Sequence, residues 1–198
     1  MKSNESTKQR ILEEALTLFS EQGYDGTGVD QIAERVGIKG PSLYKHFKGK
    51  EDILNALIDA AEARYKERFG SEANIGPIPQ NKKEFVETAM KTVSFAMNDP
   101  MIRTMRKLLV QEQFRNERIA GVTSDNQVYG LIKAHEKILD QMMKSGLIKT
   151  YDPGILAVEL TAPALVMVDQ ADRQPEREKE ILYIIKKHID HFCDVYMK

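Results

Sequence analysis

Apolar residues recur at intervals of three and four along almost the whole chain, and no run of strict alternation accompanies them. A sequence with that period hides its apolar side by forming amphipathic helices that pack on one another, so it predicts an all-α fold. Ile11, Leu12, Ala15, Leu16 and Phe19 share one face of a helix over 7–22, which Gly23 ends. In Thr27-Gly28-Val29-Asp30 a hydroxyl precedes an acid by three residues, a capping-box arrangement with Asp in the place of Glu, and it opens a short helix over 29–36. Gly37 breaks that helix, Lys39-Gly40 is turn-like, and Pro41 suits the first turn of a third helix over 41–47. Gly49 stands at the cap of a fourth, whose face carries Ile53, Leu54, Leu57, Ile58, Ala61, Tyr65 and Phe69.

Prolines and glycines interrupt the pattern between Gly70 and Asn81, where Gly76-Pro77-Ile78-Pro79 removes amide donors and admits no helix. Helices are expected again over 82–97, 100–116, 124–145, 153–172 and 175–197. Asp99-Pro100 and Asp152-Pro153 each supply a capping side chain followed by proline at the first helical position. The expected organisation is an N-terminal three-helix unit, residues 1–50, and a C-terminal helical region, residues 51–198, with about nine helices in all.

Of the 198 residues, 41% are hydrophobic and 30% charged, the balance of a packed soluble chain rather than a disordered one. The single cysteine, Cys193, excludes an intrachain disulfide and a cysteine-rich zinc site, and it suits a reducing compartment. The start, Met1-Lys2-Ser3-Asn4-Glu5-Ser6, is polar, and no signal-peptide run follows it. The longest apolar stretch, 155–168, contains Glu159 and falls short of the roughly 20 residues of a membrane span. The expected setting is therefore the cytoplasm, with no membrane. A net charge of −1 points to no class of partner, but its distribution is uneven. Arg35, Lys39, Lys45, Lys48 and Lys50 fall in a stretch without one acid, which reads either as a solvated surface or as the footprint of an anionic partner.

A helix, a glycine turn and a short second helix with cations on and around it describe a unit that reads DNA. The N-terminal residues of such a second helix meet base edges, while flanking Lys, Ser, Thr, Tyr and His groups bond phosphates and fix the register. The particular residues add more. Gly23-Tyr24, Thr27, Ile32-Ala33, Val36-Gly37-Ile38, Leu43-Tyr44-Lys45-His46-Phe47 and Lys50-Glu51-Asp52-Ile53-Leu54 together resemble the N-terminal domain of tetracycline-repressor-like (TetR family) transcriptional regulators. The resemblance covers residues 7–55. It implies a homodimer that binds a palindromic double-stranded DNA operator through the helix over 41–47, and a helical C-terminal domain that takes a small-molecule inducer. Under it, Thr27, Tyr44 and His46 contact phosphates and Lys50 is the cation at the start of the fourth helix. Lys39, Gly40, Pro41, Ser42 and Lys45 occupy the positions at which members read their own operators. Lys39 stands where many members have Ser, Pro41 where a small or polar residue is frequent, and Gly49 where Ser or Asn often caps, so the operator sequence stays open. Leu43 and Phe47 are core residues by their apolar chemistry, and Tyr44 serves both packing and contact.

The C-terminal region carries no motif. Every methionine except Met1 lies beyond residue 89: Met90, Met97, Met101, Met105, Met142, Met143, Met167 and Met197. Flexible, polarizable side chains of this kind either fill gaps in a core or line an adaptable pocket. In the helix over 124–145, His135 sits in the middle of the apolar face of Val128, Leu131, Ile132, Ile138, Leu139 and Met142, where a polar group needs a partner. It is either a satisfied core histidine or a group that orients a ligand. Glu112 shares a face with Met101, Met105 and Leu109, and either pairs with a cationic ligand or reaches water at the edge of that face. Met101, Met105, Leu109, Glu112, His135, Leu139 and Met142 form the candidate ligand set. His188 and His191 share a face, but Cys193 points elsewhere and no carboxylate cluster completes a metal site. No glycine-rich phosphate loop, nucleophile elbow or His-Glu-x-x-His pattern appears, so neither cofactor nor metal is expected. The apolar run 162–168 and the wide face of Ile181, Leu182, Ile184, Ile185, Ile189, Phe192 and Tyr196 leave more surface than one chain covers, and a homodimer through these two helices resolves it. The reading is a ligand-responsive regulator, a repressor released by its ligand. The alternatives are a small helical enzyme with Glu112 and His135 as acid and base, and a protein-binding adaptor.

Overall fold

Local signals fix most helix boundaries. The computed structural model describes residues 6–71, 74–75 and 77–198, with the backbone alone at 69–71, 74–75 and 125–127, so Gly76 and the first five residues lie outside it. Among these residues the α-helices are α1 (Thr7–Gln22), α2 (Val29–Val36), α3 (Gly40–Leu43), α4 (Lys50–Phe69), α5 (Lys82–Asn98), α6 (Pro100–Glu112), α7 (Glu117–Val122), α8 (Gly130–Lys144), α9 (Pro153–Arg173) and α10 (Glu178–Tyr196). Ser6 caps α1 by accepting from the Gln9 amide, Asn81 caps α5 by accepting from Glu84, and Asp152 caps α9 by accepting from Ile155, with Pro153 at its first position. The α2 cap differs from the expected one. Gly28 is the cap residue and its N–H donates to Gln31 Oε1 (2.8 Å), while Thr27 Oγ1 turns back to donate to Gly23 O (2.9 Å).

Further differences from the sequence reading concern length: the helix expected over 100–116 ends at Glu112 as α6, and the short α7 follows it. The helix expected over 41–47 is α3, four residues long and followed by a turn. His46 N–H bonds Leu43 O three residues back, which tightens the backbone there. The helix expected over 124–145 is a π-helical segment, Thr123–Tyr129, leading into α8. Before α10 the chain makes a 3-10 turn, Pro175–Arg177. The irregular stretch after α4 also holds two-residue strands, β1 (Gly70–Ser71) and β2 (Asn74–Ile75), paired antiparallel.

The helices gather into two compact units that do not follow a single cut at residue 50. The first takes the chain up to Glu67 and adds Pro100–Ala120. In it, α1 packs on α2 and α6, and α2 packs on α3. Ile11, Phe19, Ile32, Leu43, Ile53, Leu57 and Leu108 are among its fully buried side chains. The second takes Arg68–Asp99 and Gly121–Lys198, with α9 packed on α5, α8 and α10. Its core joins Phe85, Met97, Leu139, Met142, Leu156, Ile185, Ile189 and Phe192. By length and composition alone α9 is apolar enough to cross a membrane, but its buried residues pack into this core. One side of α9 and α10 stays uncovered, with Ile155, Val158, Val166, Tyr183, Ile184 and Val195 exposed, so the run 162–168 is covered on one side only in a single chain.

Candidate nucleic-acid interface

The turn between α2 and α3 is built by two backbone bonds. Gly37 N–H donates to Glu34 O and Ile38 N–H to Ala33 O, both at 2.9 Å, with Gly37 at φ +76°. This Schellman closure needs a left-handed residue, which glycine supplies without a Cβ penalty. It delivers Lys39 in an extended conformation as the cap of α3, where Ser42 N–H bonds Lys39 O (2.8 Å). Arg10 on α1 donates to Val36 O and so holds the end of α2. Underneath, Leu43 and Phe47 are buried, as their chemistry predicted.

On this support Lys39, Pro41, Tyr44, Lys45 and His46 are exposed, Tyr44 at 55%, while Gly40 and Ser42 are half-buried. No ion pair engages Lys39, Lys45 or Lys48 among the described residues, whereas Arg35 is paired with Glu14 (3.1 Å). Unpaired cations around the exposed end of a short helix are free to meet phosphate oxygens. Two candidate contacts are engaged elsewhere. Thr27 is 2% exposed with its hydroxyl turned to Gly23, and Lys50 Nζ donates to Tyr24 O (2.7 Å) while lying 4.3 Å from the centroid of the Tyr24 ring. Lys8, which the sequence reading passed over, has its ammonium 5.3 Å from the centroid of Phe47 and so stands beside the Tyr44-Lys45-His46 turn. It lies far outside the basic stretch in sequence, and only the fold brings it there.

The residues assigned to a ligand site divide between the units. Met105, Leu109 and Glu112 are buried in the first, where Met101 is half-buried, and Leu139 and Met142 have no exposed surface in the second. Glu112 does not stand at the edge of its face. It is 3% exposed, and its Oε1 accepts from the Tyr24 amide (3.3 Å). His135, half-buried, shares a 2.8 Å hydrogen bond between Nδ1 and Thr161 Oγ1, and desolvation pushes its pKa down to about 4. His188 Nε2 meets Leu160 O at 3.1 Å, and burial pushes the Cys193 thiol up to about 11.

A short helix seated by a Schellman turn and ringed with unpaired cations is the reading head of a helix-turn-helix DNA-binding protein. Residues 11–57 match the signature of bacterial regulatory proteins of the tetR family. Over 145 residues, 73% of this chain and 69% of the relative, the sequence is 33% identical to IcaR, the HTH-type negative transcriptional regulator of the biofilm operon icaADBC in Staphylococcus aureus strain Newman. The chain belongs to the tetR family of transcriptional regulators. Among solved structures, the SmeT–triclosan complex superposes with a TM-score of 0.77 at 21% identity, covering 98% of this chain and 93% of that one. SmeT is the repressor of the Stenotrophomonas maltophilia multidrug efflux pump SmeDEF. A tetR-family transcriptional regulator from Mesorhizobium loti gives a TM-score of 0.75 at 18% identity, with 97% of each chain covered.

Proposed function

We propose that this regulator is a cytoplasmic repressor that binds a palindromic operator as a homodimer and leaves it when a small molecule binds the second unit. The observation that carries this reading is the unpaired cationic end of α3, with Lys39, Tyr44, Lys45 and His46 exposed over buried Leu43 and Phe47. In this role Lys39, Gly40, Pro41, Ser42 and Lys45 face base edges, and Tyr44, His46 and Lys8 face phosphates. The uncovered apolar side of α9 and α10 supports a two-fold partner, as an isologous contact buries the same patch on both copies. A major-groove dimer tolerates little error around the roughly 34 Å between half-sites, so a ligand that favours another spacing releases DNA by population shift. The negative regulation in IcaR's name and the triclosan held by SmeT support the repressor and ligand parts of the reading.

His135 is the polar group we assign to the inducer, since it is half-buried and its Nδ1 is already held by Thr161. Glu112 and His135, the acid and base of an enzyme reading, are each engaged within their own unit, Glu112 by the Tyr24 amide and His135 by Thr161 Oγ1. The test is a duplex selected by the protein from a randomised library, bound across a salt series. Tyr44→Phe is expected to weaken binding equally on all variants of that duplex. Lys45→Ala also relaxes sequence preference, by about 1 to 3 kcal/mol per lost base contact. Equal loss across variants for both would remove Lys45 from base reading, and a protein-binding adaptor would select no duplex at all.

A further inference from the structure

Tyr24, in the turn between α1 and α2, is held on both sides of its backbone by the ends of two other helices. Lys50, the first residue of α4, donates to its carbonyl at 2.7 Å and lies 4.3 Å from its ring centroid. Glu112, the last residue of α6, accepts from its amide at 3.3 Å. The ring itself packs on Phe19 of α1, with centroids 5.3 Å apart. Gly23 opens the way for the carboxylate, because a Cβ there would stand 2.8 Å from Glu112 Oε1. These two helices also carry the chain out of the first unit and into it, α4 running past Glu67 and α6 beginning at Pro100 after Asp99.

A buried carboxylate whose one described side-chain partner is a backbone amide is a poor stabiliser, since an apolar side chain of similar size avoids the desolvation cost. Lys50, for its part, spends its ammonium inward. We propose that Lys50 and Glu112 are positioning residues: they grip Tyr24, fix the turn from which α2 and α3 project, and act on DNA binding without touching DNA. The grip gives α4 and α6 a shared handle on the reading head. This inference rests on the DNA-binding reading above and moves Glu112 out of the candidate ligand set and Lys50, the cation at the start of the fourth helix, out of direct contact with DNA.

The experiment uses the full-length protein and a duplex that the wild type selects from a randomised library, with affinity read by fluorescence anisotropy across a potassium chloride series. Lys50→Met is expected to lose roughly tenfold in affinity with the salt slope unchanged, whereas loss of a phosphate contact lowers that slope by about one. Glu112→Leu is expected to lose a similar factor, and Glu112→Gln, which keeps an acceptor for the Tyr24 amide, to stay within about twofold of wild type. A slope reduced by about one in Lys50→Met, or wild-type affinity in Glu112→Leu, overturns the proposal. Hydrogen exchange at the Tyr24 amide covers the case in which Glu112→Leu does not fold. Protection in the wild type that falls in Lys50→Met supports the grip, and exchange at the rate of a free amide in the wild type overturns it. A wild type that selects no duplex removes the DNA-binding reading instead, and this inference with it.

Discussion

At the scale of residues, His135 carries the largest consequence for pH. Its ordinary pKa is 6.5, and desolvation in the folded chain takes it to about 4. Between those values the unfolded chain binds a proton that the folded chain refuses, so stability is full above about pH 6.5 and falls as the pH drops toward 4. The effect is at most about 3 kcal/mol, and chemical denaturation between pH 4.5 and 7 with wild type and His135→Leu is expected to show a slope in the first that is absent in the second. Thr161→Val leaves Nδ1 without its partner and is expected to cost about 1 to 3 kcal/mol at pH 7, read from the denaturation midpoint. The sequence shows that His135 lies on an apolar face and needs a partner. It does not show which one, because Thr161 lies 26 residues on. Glu112 is the same case over 88 residues: its face was legible, its engagement with Tyr24 was not.

At the scale of elements, the glycines that end α1 and α2 separate two costs. Gly37 has nothing within 4 Å of a Cβ position, so Gly37→Ala is expected to cost only the left-handed strain, about 1 kcal/mol. Gly23 has a similar φ of +79° but a ψ of 164°, a region open essentially to glycine alone, and a Cβ there would also meet Glu112 Oε1, so Gly23→Ala is expected to cost more on both counts and to weaken duplex binding as well. Thermal melts of the two variants and the anisotropy assay rank them. Both glycines were readable as helix ends because their signals are local. The passage from α6 to α8 was not. Asn116 Oδ1 accepts from Ile119 N–H (3.2 Å) and announces α7, a cap signal that the apolar pattern hid. Val128, Leu131 and Ile132 keep a smooth helical spacing up to and across the junction with α8, so apolar periodicity alone does not register the π-helical segment.

At the scale of the whole molecule, the uncovered side of α9 and α10 sets the expected assembly. Val166 is 61% exposed in one chain, so Val166→Glu is expected to leave the melting profile of the monomer almost unchanged while raising the dimer dissociation constant roughly a hundredfold or more, as a buried unpaired charge costs several kcal/mol. Light scattering over a concentration series reads it, and a wild type that stays monomeric at micromolar concentration removes the dimer. The apolar surplus of these helices was legible in the sequence, since it needs only composition and period. The membership of α6 was not, because its packing against α1 is a long-range event that no local pattern encodes. That packing bears on how such regulators recombine. A foreign reading head spliced in ahead of α4 would be seated on an α6 that evolved against another α1, with Leu108, Leu109 and Glu112 facing the wrong neighbours. The unit that packs together is discontinuous in sequence, so an exchange of DNA specificity is expected to keep this core only when α6 is carried along or the graft is confined to the exposed residues of α3 and its following turn.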